Sequence, residues 1–155
     1  MKILYVIIMM LFLGMVSCSE DNLKGYSSSN CIQFDKLSKD STVFSFAYDE
    51  TLESGTVALK LVMISPLVDR DRKYNVKFLQ DESSAQAGVD FEMPAEEQVI
   101  AANDSVAYLN VIVKRNKALK GSAIAVFEVQ VSDDFMPGIE ANRKGRIFIT
   151  NQLTR

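Results

Sequence analysis

The side chains of this chain that are able to do chemistry are its carboxylates and its tyrosines. It carries 20 Asp and Glu against 17 Lys and Arg, for a net charge of −3, with no histidine, no tryptophan and two cysteines, Cys18 and Cys31. The missing histidine removes His-ligated metals, Ser-His-Asp and Cys-His nucleophile systems, and the usual proton shuttle near neutral pH. Without a basic excess there is no phosphate-neutralising face, and nucleic acid is excluded as a partner. Glu92, Glu96 and Glu97 flank Pro94 and are the residues a glycosidase would use as a carboxylate pair, about 5–9.5 Å apart in a cleft. No sequence feature pairs them, and a small domain without long insertions offers little cleft, so the chain is not expected to be an enzyme. Sugar binding needs only an aromatic face with polar neighbours, and Tyr26, Tyr48, Tyr74 and Tyr108 are available.

Cys18 stands apart from this set. It follows Ile3 to Val16, an apolar run behind the single basic residue Lys2. A membrane-spanning helix needs roughly 20 apolar residues and a signal peptide about 7–15, so the run reads as an export signal. Met15-Val16-Ser17-Cys18 resembles the lipobox of bacterial lipoproteins, with Met15 in place of the usual Leu. That resemblance implies cleavage before Cys18, diacylation of that cysteine and a membrane partner reached through the lipid. Each buried CH₂ contributes about 0.8 kcal/mol, so two or three acyl chains hold firmly. Ser19-Glu20-Asp21 resembles the surface-export signal of Bacteroides-type lipoproteins, which implies an outer-membrane protein facing the cell exterior. Residues 1–17 are thus expected to be the signal and 18–30 an acylated, polar tether with a reach of roughly 20 Å. Residues 31–155 form one domain.

The elements that position the remaining candidates repeat with period two. Phe44, Phe46 and Tyr48 share a face, as do Val57, Leu59, Leu61 and Met63, then Tyr74, Val76 and Phe78. Leu109, Val111 and Val113 follow, then Phe127, Val129 and Val131, and finally Ile147 and Ile149. Such alternation marks half-buried strands, and Gly55, Pro66, Gly88, Pro94, Asn103-Asp104, Gly121, Pro137-Gly138 and Gly145 read as the breaks between them. About eight strands and no sustained helical period predict an all-β chain, an antiparallel β-sandwich of immunoglobulin-like kind. Cys31, beside Ile32, is expected to be a small buried core residue.

Successive loops of such a sandwich fall at alternate ends. Asp49, Glu50, Glu53, Asp81, Glu82 and Asp90 are expected at one end, and Asp69, Asp71, Asp104, Asp133 and Asp134 at the other. Either set offers oxygens to Ca²⁺, which takes six to eight; solvated turn carboxylates are the default for such residues. Asp49, Glu50, Asp81, Glu82 and Asp90 are the metal candidates. Tyr108 is out of phase with core residues Leu109 and Val111, which places it on the exposed face beside Asn110; these two are the candidate ligand contacts. Tyr48 and Tyr74 are in phase with core residues and are expected at the core edge.

One loop is more specific than the pattern. Ser83-Ser84-Ala85-Gln86-Ala87-Gly88-Val89-Asp90-Phe91-Glu92, then Val99 to Ser105, then a strand ending in Lys114-Arg115, resembles two groups of proteins over about residues 31 to 135. One is a domain-of-unknown-function family of Bacteroides-type lipoproteins, often encoded beside Sus-type glycan uptake systems. The other is the Calx-beta sandwich, whose calcium-binding members use acidic loops at one end. The resemblance implies a Calx-beta-like sandwich, a role as a binding or accessory module, and a glycan or outer-membrane transport components as partners. It also makes a calcium-stabilised structural or adhesion domain the alternative. Within the loop, Gly88 suits a positive φ, Asp90 can close the turn, and Phe91 can plug the end of the sandwich.

Overall fold

The computed structural model describes residues 30–36 and 42–153, so the signal run, Cys18, Tyr26 and the tether lie outside the described residues. Nine strands follow in order: β1 (Cys31–Phe34), β2 (Thr42–Ser45), β3 (Ser54–Ile64), β4 (Arg72–Phe78), β5 (Glu97–Ile100), β6 (Val106–Lys114), β7 (Ser122–Gln130), β8 (Met136–Pro137) and β9 (Lys144–Thr150). They form a four-stranded sheet, β6-β3-β1-β8, and a five-stranded sheet, β2-β9-β7-β4-β5. The all-β sandwich expected from the alternation is present. Both sheets are mixed, however, because β1 pairs with β8 and β2 with β9 in parallel. The cause lies at the start of the fold: β1 joins one sheet and β2 the other, and β2 runs beside β9 in the same direction instead of returning as a hairpin would.

The long strands bury the residues their alternation selects. Val57, Leu59 and Leu61 of β3, Leu109, Val111 and Val113 of β6, and Ile147 and Ile149 of β9 enclose one core with Phe127, Val129 and Tyr74. Phe91 is fully buried, 4.9 Å from the Phe78 ring and 5.7 Å from that of Phe127, which makes it the expected plug. Aromatic contacts at such distances add to the area they bury.

Four sequence expectations need correction. Phe46 to Tyr48 continue no strand: they form a 3₁₀ turn capped by Ser45, whose hydroxyl accepts the Ala47 N–H at 3.2 Å, and Tyr48 is exposed. Val131 lies past the end of β7 and is exposed. Cys31 is half-buried on the outer face of its sheet, because Ile32 and Phe34 take the inward positions of β1. Gly55 and Gly145 are not breaks at all. They sit within β3 and β9, where a Cβ would come 2.2 Å from Phe44 Cζ and 2.8 Å from Phe34 Cε1, so each glycine makes room for a ring.

Candidate functional site

β6 is an edge strand, and its even-numbered residues point away from the core. Tyr108 is 53% and Ile112 41% exposed, with Asn110 open between them. The antiparallel register with β3 sets Lys60 opposite Tyr108, Ala58 opposite Asn110, Thr56 opposite Ile112 and Ser54 opposite Lys114. Asn110, between Tyr108 and Ile112 along the strand, faces the small Ala58 side chain across the ladder. The charges bordering this strip are paired. Lys60 Nζ is 2.8 Å from Asp35 Oδ2, and Lys114 Nζ is 3.0 Å from Glu92 Oε1. The hydrogen bond that Lys60 donates to Asp35, with that carboxylate's charge, holds the ammonium above the usual lysine range, so it stays protonated. The strip between the two pairs is neutral, part aromatic and part polar.

The opposite outer face differs in kind. Lys73 pairs with Glu97 at 2.9 Å, Lys144 with Glu82, and Gln130 donates to Glu128 at 2.8 Å. Charged, hydrated groups of this density suit contact with water rather than with a sugar ring.

Most of the loop carboxylates gather in two clusters, but Glu82 departs from the expected sorting, since its partner Lys144 opens β9 at the far end from Thr150, which pairs with Ser45 beside the Asp49 loop. At one end Asp90, 3% exposed, accepts the Gln86 N–H at 2.7 Å and the Asn116 amide at 2.8 Å. Asp49 there accepts the Thr51 hydroxyl at 2.7 Å and the Thr51 N–H at 2.9 Å; these bonds, with Arg115 a smaller influence, hold its carboxyl below the usual range. Glu53 pairs with Lys117 at 3.0 Å. At the other end Asp69 accepts the Asn103 amide, Asp71 the Ala102 N–H, and Asp134 the Arg70 guanidinium and the Lys73 N–H. Asp133 and Asp104 belong to the same loops, the Asp104 carbonyl accepting Arg72 at 3.1 Å. Glu50 and Asp81 are exposed, and Glu82 is engaged by Lys144. Among the described residues no three acidic or cysteine side chains stand together as a metal site. The five metal candidates are not brought together: Asp49 and Asp90 are spent on turn closure and Glu82 on an ion pair.

The three glutamates around Pro94 are also separated in role. Glu92 pairs with Lys114 and Glu97 with Lys73, while Glu96 lines a shallow cavity of about 240 Å³ with Phe78, Met93 and Pro94.

Two buried or loop-spanning arginines escaped the sequence reading. Arg72 is 1% exposed and donates to Ser65 Oγ at 2.7 Å, the Pro66 carbonyl at 3.3 Å and the Asp104 carbonyl, with its Cζ 4.9 Å from the Phe135 ring centre. Arg115, at the other end, donates to three carbonyls of the β2–β3 loop. In sequence each is only a basic residue at a strand boundary, and no local signal separates them from solvated lysines.

The outer face of the four-stranded sheet is thus neutral and partly aromatic, on a sandwich of two sheets. The chain belongs to the family described as Domain of unknown function (DUF4843), whose model matches residues 24–155. No curated protein matches the chain. Among solved structures it is similar to the apo form of the Calx CBD1 domain, at 9% identity and a TM-score of 0.59, covering 81% of this chain and 99% of that one. It is also similar to the calcium binding domain CBD12 of CALX1.1, at 11% identity and a TM-score of 0.52, covering 72% and 41%. A third likeness is to a candidate carbohydrate binding protein from Bacteroides ovatus, at 12% identity and a TM-score of 0.52, covering 79% and 37%. The chain spans less than half the length of these last two. At such identities the likeness shows a shared fold, the Calx-beta-like sandwich.

Proposed function

We propose that the protein is a non-catalytic, lipid-anchored accessory module that binds carbohydrate on the outer face of its four-stranded sheet. The observation that carries this reading is Tyr108, half-exposed beside Asn110 on a strip whose bordering charges are all paired. A sugar presents an apolar face and a rim of hydroxyls. The Tyr108 ring meets the first, and Asn110 and Thr56 meet the second. The Bacteroides ovatus neighbour, a candidate carbohydrate binding protein, supports the ligand class.

The Cys18 lipobox and the acidic step after it support an outer-membrane location facing the exterior. A membrane-anchored glycan binder beside a transport system would raise the local concentration of substrate at that system. The discriminating experiment is a glycan array followed by calorimetric titration of any hit, with Tyr108→Ala as control. Binding that survives Tyr108→Ala, or no binding to any glycan, overturns the reading. The anchor is tested separately by Cys18→Ala, which should leave the protein in the soluble fraction.

The calcium-binding neighbour supports a second reading, a calcium-stabilised structural or adhesion domain. The engagement of Asp49, Asp90 and Glu82 with donors of the chain itself weighs against it.

A further inference from the structure

The loop from Phe46 to Glu53 carries the chain from β2 into β3, and one side chain gathers it. Arg115, the first residue after β6, donates from Nε to the Leu52 carbonyl at 2.6 Å. Its Nη2 donates to the Phe46 carbonyl at 2.7 Å and also to the Asp49 carbonyl. Its own N–H donates to the Glu53 carbonyl at 2.9 Å, and its Cζ lies 5.0 Å from the Phe46 ring centre. Three main-chain carbonyls thus converge on a single positive group, at the end of the sandwich that also holds the Asp49 and Asp90 carboxylates. Carbonyl oxygens converging from one loop, with carboxylates close by, are what a hard divalent cation collects. Here the centre of that cage is a guanidinium.

We propose that Arg115 is the resident cation of this loop end: it fixes the β2–β3 loop as a bound divalent ion would, and by occupying the carbonyls it excludes one. Two further facts make the substitution complete. With the guanidinium in place the carboxylates close by take donors of the chain, Asp49 from Thr51, Asp90 from Gln86 and Asn116, and Glu53 from Lys117, and the exposed Asp49 and Glu53 hold theirs weakly enough for an ion to displace once the guanidinium is removed. A dication seated among the same carbonyls would face the guanidinium at close range, where like charges repel strongly. Guanidinium keeps its charge across the physiological pH range, and its planar fork matches oxygens that an ammonium could engage only one or two at a time. The clamp therefore needs no ion that a chelator could remove. Because Arg115 directly follows β6, it ties the end of the strand that carries Tyr108 and Asn110 to the β2–β3 loop. The inference holds whether or not that strip binds sugar.

The test uses the full chain, comparing the wild type with Arg115→Met, which keeps much of the apolar stem and removes the donors. Thermal unfolding is followed with EDTA and with excess Ca²⁺, and amide exchange is followed at Leu52, whose N–H donates to Asp49 O. The wild type should melt at one temperature in both buffers. Arg115→Met should melt about 5–10 °C lower in EDTA and exchange faster at Leu52, and Ca²⁺ should raise its melting temperature. A wild type that Ca²⁺ stabilises overturns the proposal, as does a variant whose loop exchange is unchanged. A variant that Ca²⁺ fails to stabilise reduces Arg115 to a hydrogen-bonding clamp and overturns the claim of cation replacement. Should Arg115→Met not fold, Arg115→Lys serves in its place, with intermediate protection at Leu52 expected and wild-type protection overturning the role of the fork.

Discussion

Asn116 Nδ2 lies 2.8 Å from Asp90 Oδ1, a contact that ties the loop after β6 to the turn that carries Phe91 into the core. The other Asp90 oxygen accepts the Gln86 N–H, so this buried carboxylate is balanced by donors rather than by a cation. Asp90→Ala leaves two donors without their acceptor and is expected to cost about 2–4 kcal/mol. Asp90→Asn keeps the shape and one acceptor and should cost about half as much. Urea unfolding of both variants measures the difference, and equal losses would contradict the two-donor account.

Gly55 lies under the Phe44 ring. Gly55→Ala is expected to destabilise by about 1–3 kcal/mol, because the ring must leave its place. Phe44→Leu combined with Gly55→Ala should cost less than the sum of the two single changes, since the smaller side chain concedes the space. Strict additivity in a double-mutant cycle would remove this explanation.

Tyr108→Ala is the functional counterpart. The side chain is half-exposed and outside the core, so the melting temperature should stay within a degree or two of the wild type. Affinity for a bound oligosaccharide should fall at least about tenfold, equivalent to about 1.4 kcal/mol, as for an aromatic anchor at a contact centre. Asn110→Ala should weaken binding less.

Burial pushes the Tyr74 phenol up to about 12. The unfolded chain ionises this group near 10, so its contribution to stability is complete below pH 10 and is lost as the pH rises from there towards 12. Tyr74→Phe should flatten the alkaline decline in melting temperature between pH 10 and 12. A decline of the same steepness in the variant would assign the loss to other groups.

At the acid end, the hydrogen bond from Arg70 and that from the Lys73 N–H hold Asp134 below its ordinary value of 3.8. Its folded-state pKa is depressed, so its contribution is present above pH 3.8 and disappears as the pH falls through the folded value. The group lies near the surface, and the effect is small. Asp134→Asn should lower the melting temperature slightly at pH 7 and make no difference once the wild-type carboxylate is protonated.

The long strands were legible in the sequence because β3, β6 and β7 each run for several periods of alternation, enough to identify a face. β1 and β5 have four residues each and β8 two, too few for a period to register. Gly55 and Gly145 were misread as breaks because their purpose is to admit a ring from another strand, a fact that no local window contains. The phase of Tyr108 is readable, whereas the place of Glu82 is not, because Lys144 reaches it from a strand more than 60 positions later. Nor are the partners of Tyr108, since Lys60 and Ala58 reach it through a register fixed by the whole β3–β6 ladder. The same holds for Arg115, which bonds to carbonyls more than 60 positions earlier in the chain.

β1 lies between β3 and β8, although it is the first of the strands among the described residues. Its entrance is pinned, the Asn30 carbonyl accepting the Met136 N–H at 2.8 Å, and its exit likewise, with the Asp35 N–H donating to the Lys60 carbonyl at 2.9 Å. A tension applied at residue 30 along the strand axis therefore loads the ladders to both neighbours in shear. The bonds share the force and must yield together, whereas an edge strand peeled from one side would lose them in turn. The fold has thus placed a strand held from both sides where a pull from the N-terminal side arrives.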